Sequence, residues 1–302
     1  MTDPGKLTLG PLLFHWPAEK QRDFYFRVAD EADVDCVYLG EAVCSKREPF
    51  FAPYIDTVAA RLAAAGKQVV RSTLAMMILD REVAAVRALA ESGALIEAND
   101  VASLREMSGR PHVIGPYINV FNEGAHDFLV DGGAVRIVLP VEITASGVRV
   151  LAGRAVETEL LVFGRQPLSV AMRCYHARAH GLSKDACQFV CGLDPDGLPA
   201  DTIDGHALLT VNGTQTLSNG YLVLLQDLTA LRGMGVTHFR LSPQDIDMVA
   251  VAGIHRSVLD GSCAVAEAAA DLRGLTGETP WQNGFLHGRE GLAWVDSALV
   301  PA

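Results

Sequence analysis

The chain lacks several features that would place it in a common class of protein. No run in its 302 residues reaches the roughly 18 uninterrupted apolar residues of a membrane-spanning helix, so none is predicted. The first twenty residues, MTDPGKLTLGPLLFHWPAEK, do not show the basic start and long apolar run of a signal peptide. We therefore expect a cytoplasmic, reducing location. The net charge of −11 argues against broad binding to nucleic acids or anionic membranes, which depends on clustered Lys and Arg.

Familiar catalytic motifs are also missing. The segment AAAGKQ at 63–68 lacks the upstream glycine of a phosphate-binding loop and precedes a predicted strand, so Gly66 is best interpreted as the end of a helix. No G-x-S-x-G motif is present, and HGREG at 287–291 contains no serine. The sequence has no internal repeat and no low-complexity region. These absences argue against a P-loop nucleotidase and a serine hydrolase.

Short aliphatic runs alternate with longer helical patterns along most of the chain, which is typical of repeated βα units. The predicted strands are 7–14, 35–41, 68–74, 94–98, 112–120, 134–142, 156–164 and 237–243. The predicted helices are 16–32, 54–65, 80–92, 100–108, 122–131, 144–152 and 220–234. Eight strands with helices between them predict an α/β fold, a (β/α)8 TIM-barrel-like domain that spans residues 1–302. Residues 165–213 are then a cysteine-bearing insertion after strand seven, and HALLTVNG within it predicts an added strand.

Three of the six cysteines lie in one segment, CYHARAHGLSKDACQFVC at 174–191. In a reducing compartment, such clustering indicates metal or redox chemistry more often than disulfides. Cys187 and Cys191 are four residues apart, a spacing that would put both thiols on one face of a helix, and a long loop allows Cys174 to join them. Cys44 is the best fourth candidate, because it follows the second predicted strand and the carboxyl ends of all barrel strands open on the same face.

The type of metal stays open from spacing alone. One close cysteine pair and two distant single cysteines do not match the paired pattern of most structural zinc sites. His176 and His180 keep a Cys3His zinc site open, although exposed loop positions are the favoured interpretation for both. Four thiolates from separate loops suit an iron–sulfur cluster, whose sulfurs span a wider cage. We expect Cys36, within a strand, and Cys263, on an Ala-rich helical stretch, to be packing residues.

Polar residues that follow predicted strands are candidates for lining a substrate cavity or for capping helices. They are Glu41, Asn99, Asp100, Asn119, Glu142, Arg240 and Gln244. Capping is the favoured role for Asp100 and for Asn122. Four basic residues flank the cysteines, namely Lys46, Arg47, Arg173 and Arg178. They could offset the charge of a cluster, bind a carboxylate substrate, or form a solvated loop.

Several segments resemble the ubiquinone-biosynthesis subfamily UbiV of the collagenase-like peptidase family. The matching segments are YLGEAVCSKR at 38–47, GKQVVRSTLA at 66–75, LIEAND at 95–100, LPVEI at 139–143, MRCYHAR at 172–178 and the C-x12-C-x3-C run. The resemblance implies a 4Fe–4S cluster held by Cys44, Cys174, Cys187 and Cys191. It also implies a heterodimer with a UbiU-like paralogue that hydroxylates the aromatic ring of a ubiquinone precursor without molecular oxygen. Prephenate is the implied oxygen source.

Three other functions stay open at this point. Relatives of the family modify RNA bases, so an RNA-base hydroxylation factor is one alternative, although the acidic balance disfavours it. The family name suggests a peptidase, but a Cys–His protease needs one exposed, activated thiol rather than four thiols placed for metal binding. The third is a non-catalytic subunit that the metal stabilises.

Overall fold

The computed structural model describes residues 5–299, which contain twelve strands and ten α-helices joined by loops. The strands are β1 (Lys6–Leu9), β2 (Cys36–Leu39), β3 (Gln68–Ser72), β4 (Ile96–Ala98), β5 (His112–Ile114), β6 (Ala134–Val138), β7 (Glu157–Val170), β8 (Leu198–Asp201), β9 (Ala207–Asn212), β10 (Gln215–Val223), β11 (His238–Leu241) and β12 (Trp281–Gln282). The helices are α1 (Ala18–Glu31), α2 (Glu48–Ala64), α3 (Asp80–Glu91), α4 (Val101–Met107), α5 (Glu123–Asp131), α6 (Ala145–Leu151), α7 (Tyr175–Ala179), α8 (Leu228–Gly233), α9 (Met248–Leu259) and α10 (Val265–Thr276). No helix in 5–299 is long and apolar enough to cross a membrane.

Strands β1 to β7 and β11 form a closed barrel of parallel strands with helices between them. The ring closes at β11, which pairs in parallel with β1 on one side and with β7 on the other. At that junction Leu241 lies opposite Leu9 of β1 and Phe163 of β7. The predicted TIM-barrel-like fold is therefore confirmed. All carboxyl ends of the barrel strands open on one face, which we call the barrel mouth.

Two predicted helix caps on this face are confirmed. The Asp100 carboxylate accepts a hydrogen bond from the backbone N–H of Ala102 at 2.7 Å and begins α4. The Asn122 side chain accepts one from the backbone N–H of Ala125 at 2.9 Å and begins α5. Both bonds satisfy N–H groups that have no partner inside the helix.

Strand β7 continues past the barrel, and its outer half starts an antiparallel layer in the order β7, β10, β9, β8. Strand β9 corresponds to the added strand predicted from HALLTVNG. The prediction of a helix over 220–234 is wrong in its first part, because β10 takes up residues to Val223, and a 3-10 helix over Leu225–Asp227 precedes α8. Tyr221 and Leu222 pair with Arg165 and Gly164 of β7, a long-range contact that overrides the local helical pattern.

The interior of the barrel contains charged residues. Arg240 of β11 lies 2.8 Å from the Glu97 carboxylate and 2.7 Å from the Glu159 carboxylate, and all three residues are buried. Tyr38 donates a further hydrogen bond to Glu159 at 2.5 Å. Burial opposes the ionisation of Glu159, but the guanidinium groups of Arg240 and Arg136 lower its pKa to about 2. The buried ion pairs inside the barrel share partners, so removal of one charge would leave another without its counter-charge.

Candidate metal centre and barrel mouth

The four predicted ligand cysteines line one pocket. Cys44 comes from the loop after β2, and Cys174 precedes α7 as its N-cap. Cys187 lies in a turn, and Cys191 lies in a 3-10 helix over Val190–Leu193. The pocket encloses about 330 Å³ of space between protein atoms, including its opening to solvent. The fold therefore brings residue 44 to a segment more than 120 positions away in the chain.

Hydrogen bonds fix the loop that carries Cys44. The Glu41 carboxylate accepts from the backbone N–H groups of Val43 and Cys44 at 2.8 and 3.0 Å. The Lys46 ammonium donates to the backbone carbonyl of Lys184 at 2.8 Å, which ties this loop to the segment containing Cys187. Glu41, one of the candidates for lining a cavity, does line a cleft beside this loop and also shapes the loop itself.

Cys187 and Cys191 are not joined by an α-helix, contrary to what their spacing suggested. Gln188 and Phe189 between them have positive φ angles of 49° and 55°, which turn the chain sharply. The Phe189 ring packs edge-on against Phe50, with ring centroids 4.7 Å apart. This aromatic contact helps to hold a backbone conformation that non-glycine residues rarely adopt, and the turn lets both cysteines reach the same pocket.

Positive charge surrounds the cysteines. Arg47 is 3% exposed, and its guanidinium donates to the Leu13 carbonyl at 3.1 Å and to the Asn212 side chain at 2.6 Å. The charge of Arg47 also acts on the Cys191 thiol and opposes the rise in its pKa that burial causes. Lys46 and Lys184 line the same pocket. Since thiolates bound to a metal carry negative charge, this environment favours their deprotonated form.

Without such a ligand, burial favours the protonated form of three of the thiols. Burial raises the pKa of Cys44, Cys174 and Cys191, although the nearby charge of Arg47 opposes the rise in all three. These cysteines therefore lack the lowered pKa of a catalytic thiol.

The spacing of the sulfur atoms bears on the type of metal. Among residues 5–299, a set of three His, Cys, Asp or Glu donor atoms within 4.8 Å of one another occurs at His176, His180 and Asp194, and not among the four cysteines. Sulfurs bound at about 2.3 Å around one tetrahedral zinc would be about 3.8 Å apart. In a four-iron cluster each thiolate binds a different iron, which separates the sulfurs more widely. The pocket thus fits a cluster better than a single ion.

The other cysteines and basic residues lie elsewhere. Cys36 is buried among the residues inside the barrel, as expected for a packing residue, and Cys263 is half-buried beside Ala264. Arg173 and Arg178 are exposed around an open depression next to Cys174. Only Arg47 and Lys46 of the four predicted basic residues line the cysteine pocket.

A second cavity lies at the barrel mouth. Its apolar walls include Leu13, Val138 and Leu161, and Arg240 and Tyr117 also line it. The Nη2 atom of Arg240 and the hydroxyl of Tyr117 are buried and have no hydrogen-bond partner within 5–299. Burial raises the pKa of Tyr117, so its hydroxyl remains a donor at neutral pH. This small cavity therefore combines apolar walls with two unsatisfied hydrogen-bond donors.

The remaining candidates cluster near this cavity. Asn119 and Glu142 line an adjoining cavity that shares Tyr117 with the first. Asn99 and Gln244 are buried, and Asn99 donates to the Glu97 carboxylate at 3.1 Å. Sequence reasoning missed Tyr117 as a residue that lines this cavity, because an isolated tyrosine after a short strand has no local signature.

Leu13 connects the two sites. Leu13 lines the cavity at the barrel mouth, and its backbone carbonyl accepts the hydrogen bond from Arg47. A single hydrogen bond therefore links a residue that lines the cysteine pocket to one that lines the cavity at the barrel mouth.

Comparison with known proteins identifies the family of the chain. A sequence family described as Peptidase family U32 matches residues 25–296. Among solved structures, tryptophan synthase of Mycobacterium tuberculosis is 12% identical, with 91% of each chain covered and a TM-score of 0.27. A likeness this distant does not indicate a shared activity.

Proposed function

This chain belongs to peptidase family U32, and from this premise we propose that it is the iron–sulfur subunit of an oxygen-independent ring hydroxylase in ubiquinone biosynthesis. A UbiU-like paralogue would be its partner in a heterodimer. The observation that carries the proposal is the convergence of Cys44, Cys174, Cys187 and Cys191 on one pocket lined by cations.

The four cysteines would hold a 4Fe–4S cluster, which supplies one-electron chemistry when bound. Buried Arg47 would compensate part of the negative charge of the four thiolates, and Lys46 would do the same from the pocket rim. Hydrogen bonds and charges near the ligand sulfurs tune such clusters, and Arg47 lines the same pocket as Cys191.

The barrel mouth would bind the aromatic ring. Leu13, Val138 and Leu161 offer apolar surface to the faces of a ring, and Arg240 and Tyr117 offer donors to an oxygen substituent. The same two donors suit a carboxylate of prephenate, the oxygen source that the resemblance implies. Closely packed apolar walls would also keep water away from the reacting ring.

Peptidase activity is less well supported. A cysteine nucleophile needs a thiolate, and burial raises the pKa of three of the four pocket thiols. Hydroxylation of an RNA base could use the same pair of sites, but the net charge of −11 disfavours RNA binding by this chain.

The test uses a strain that lacks the gene, grown without oxygen and complemented with variants. The proposal predicts that quinone is lost, that wild type and Cys263→Ala restore it, and that Cys187→Ala does not. Normal quinone together with a missing hydroxylated nucleotide would instead support the RNA function. Peptide cleavage that survives chelation and is abolished by one cysteine change would support the peptidase.

A further inference from the structure

A second group of metal-binding side chains lies beside the cysteine segment. His176 lies in the first turn of α7, and His180, four residues later, follows the helix as its C-cap residue. Their rings stack with centroids 5.5 Å apart and planes 7° from parallel. Asp194 follows Cys191 by three residues. One donor atom from each of His176, His180 and Asp194 lies within 4.8 Å of the other two. Two histidines at this spacing on one helix face are a recurrent way to bind zinc.

The orientation of His176 points to a cation. Its Nδ1 atom lies 3.3 Å from the backbone carbonyl of Val211, which can only accept a hydrogen bond, so Nδ1 carries the proton. The Nε2 atom, on the other side of the ring, lies 2.9 Å from the Asp194 carboxylate. The two groups do not meet in hydrogen-bond geometry, and Nε2 is buried without a hydrogen-bond partner. A ring nitrogen and a carboxylate oxygen at this distance, with no hydrogen bond between them, are two donor atoms that one metal ion can join.

The surroundings preorganise these ligands. His176 is completely buried, and a carbonyl partner on Nδ1 is the usual support for a histidine that binds metal through Nε2. The backbone carbonyl of Asp194 accepts a hydrogen bond from the Asn212 side chain at 3.0 Å, which fixes the position of that residue. His180 is exposed, so coordination positions on its side stay open to solvent.

We propose that His176, His180 and Asp194 bind one divalent transition-metal ion of the zinc class, at a site separate from the four cysteines. Imidazole and carboxylate ligands suit zinc or ferrous iron rather than calcium or magnesium. The ion would join the start of the cysteine segment to its end, because Cys174 caps α7 and Asp194 lies just past Cys191. This inference does not depend on the proposed hydroxylase function.

The experiment uses the full chain with its cysteine site already loaded by anaerobic reconstitution with iron and sulfide. The protein is dialysed against buffered Zn²⁺, and the retained zinc per chain is counted. The extended fine structure of the zinc X-ray absorption spectrum then gives the distances to the neighbouring atoms. We expect one zinc per chain with nitrogen and oxygen neighbours at about 2.0–2.1 Å and no sulfur at about 2.3 Å. His180→Ala and Asp194→Asn should each weaken zinc binding at least about tenfold.

His206→Ala is the matched control, since His206 is an exposed histidine with an aspartate, Asp204, 3.5 Å away. It should keep the zinc. His180→Ala tests the site without removing a buried side chain, and an unchanged iron content will show that the variant folds. Failure to retain zinc, sulfur in its first shell, or equal affinity in His180→Ala and wild type would each overturn the proposal and leave a simple histidine–aspartate pair.

Discussion

The Arg47 guanidinium donates a hydrogen bond to the Asn212 side chain at 2.6 Å, and both residues are buried beside Cys191. Asn212 in turn donates to the backbone carbonyl of Cys191 at 3.0 Å. Arg47 belongs to the loop that carries Cys44, whereas Asn212 ends β9. This pair therefore connects the two halves of the cysteine pocket.

Arg47→Ala should destabilise the pocket, because it removes a buried charge that satisfies Asn212 and the Leu13 carbonyl. We expect the free energy of unfolding to fall by about 3 kcal/mol and the bound iron per chain to fall with it. Denaturant unfolding and iron analysis check both effects. Arg47→Lys keeps the charge and should retain more iron than the alanine variant. Equal iron content in all three proteins would contradict this role.

Gly213→Ala should also lower the free energy of unfolding, because the added methyl group would displace the Arg47 guanidinium. Gly213 has a φ of +70°, and an added Cβ atom would collide with the Arg47 guanidinium. Gly181 is the matched control, with a φ of +69° and no atom within 4 Å of an added Cβ. Both variants carry a conformational cost of about 1–2 kcal/mol, and the collision should cost Gly213→Ala about 1–3 kcal/mol more. Denaturant unfolding measures the difference, and equal losses would show that Arg47 moves away freely.

Tyr117→Phe separates stability from substrate binding. The Tyr117 hydroxyl is buried without a partner, so its removal should leave the free energy of unfolding unchanged or slightly higher. If the hydroxyl binds a ring oxygen, turnover of the ring substrate at low concentration should fall about tenfold, which corresponds to one lost hydrogen bond. Iron content should stay at the wild-type level. Unchanged turnover would exclude this contact.

His255 predicts a loss of stability in mild acid. Burial lowers its pKa from 6.5 to about 4, although the Val251 carbonyl, 2.8 Å from Nδ1, opposes the shift. The unfolded chain therefore binds this proton more readily, so the stabilisation is complete above about pH 6.5 and declines as the pH falls towards 4. The slope is about 1.4 kcal/mol per pH unit for one such group.

The check compares denaturant unfolding of cluster-free protein at several pH values. His255→Phe should reduce the pH slope between about 6.5 and 4, whereas His206→Gln, at an exposed site, should leave it as in wild type. The same slope in both variants would mean that His255 is not responsible.

The sequence was sufficient for the barrel, and the four cysteines that it singled out line one pocket; their role as ligands stays a prediction. Alternating strand and helix patterns are local, so the order of the eight barrel strands followed from them. The cysteine segment stood out because three of the six cysteines fall within residues 174–191. Capping by Asp100 and Asn122 was also predictable, since it depends on residues only two or three positions away.

What the sequence could not show depends on long-range packing. The charge of Arg47 was visible, but its burial between Leu13 and Asn212 follows from the meeting of distant segments. The same holds for His176, whose predicted exposed position was wrong because β9 covers it. Strand β10 was partly taken for a helix because its pairing with β7 has no local signature.

Iron and acid-labile sulfide analysis of anaerobically purified wild type and six single Cys→Ala variants tests the central claim most directly. We expect about four irons and four sulfides per chain in wild type, the composition of one 4Fe–4S cluster. The content should be much lower for each change at Cys44, Cys174, Cys187 and Cys191, and normal for changes at Cys36 and Cys263. A colourless wild-type protein that holds stoichiometric zinc at these cysteines and contains no sulfide would contradict the account.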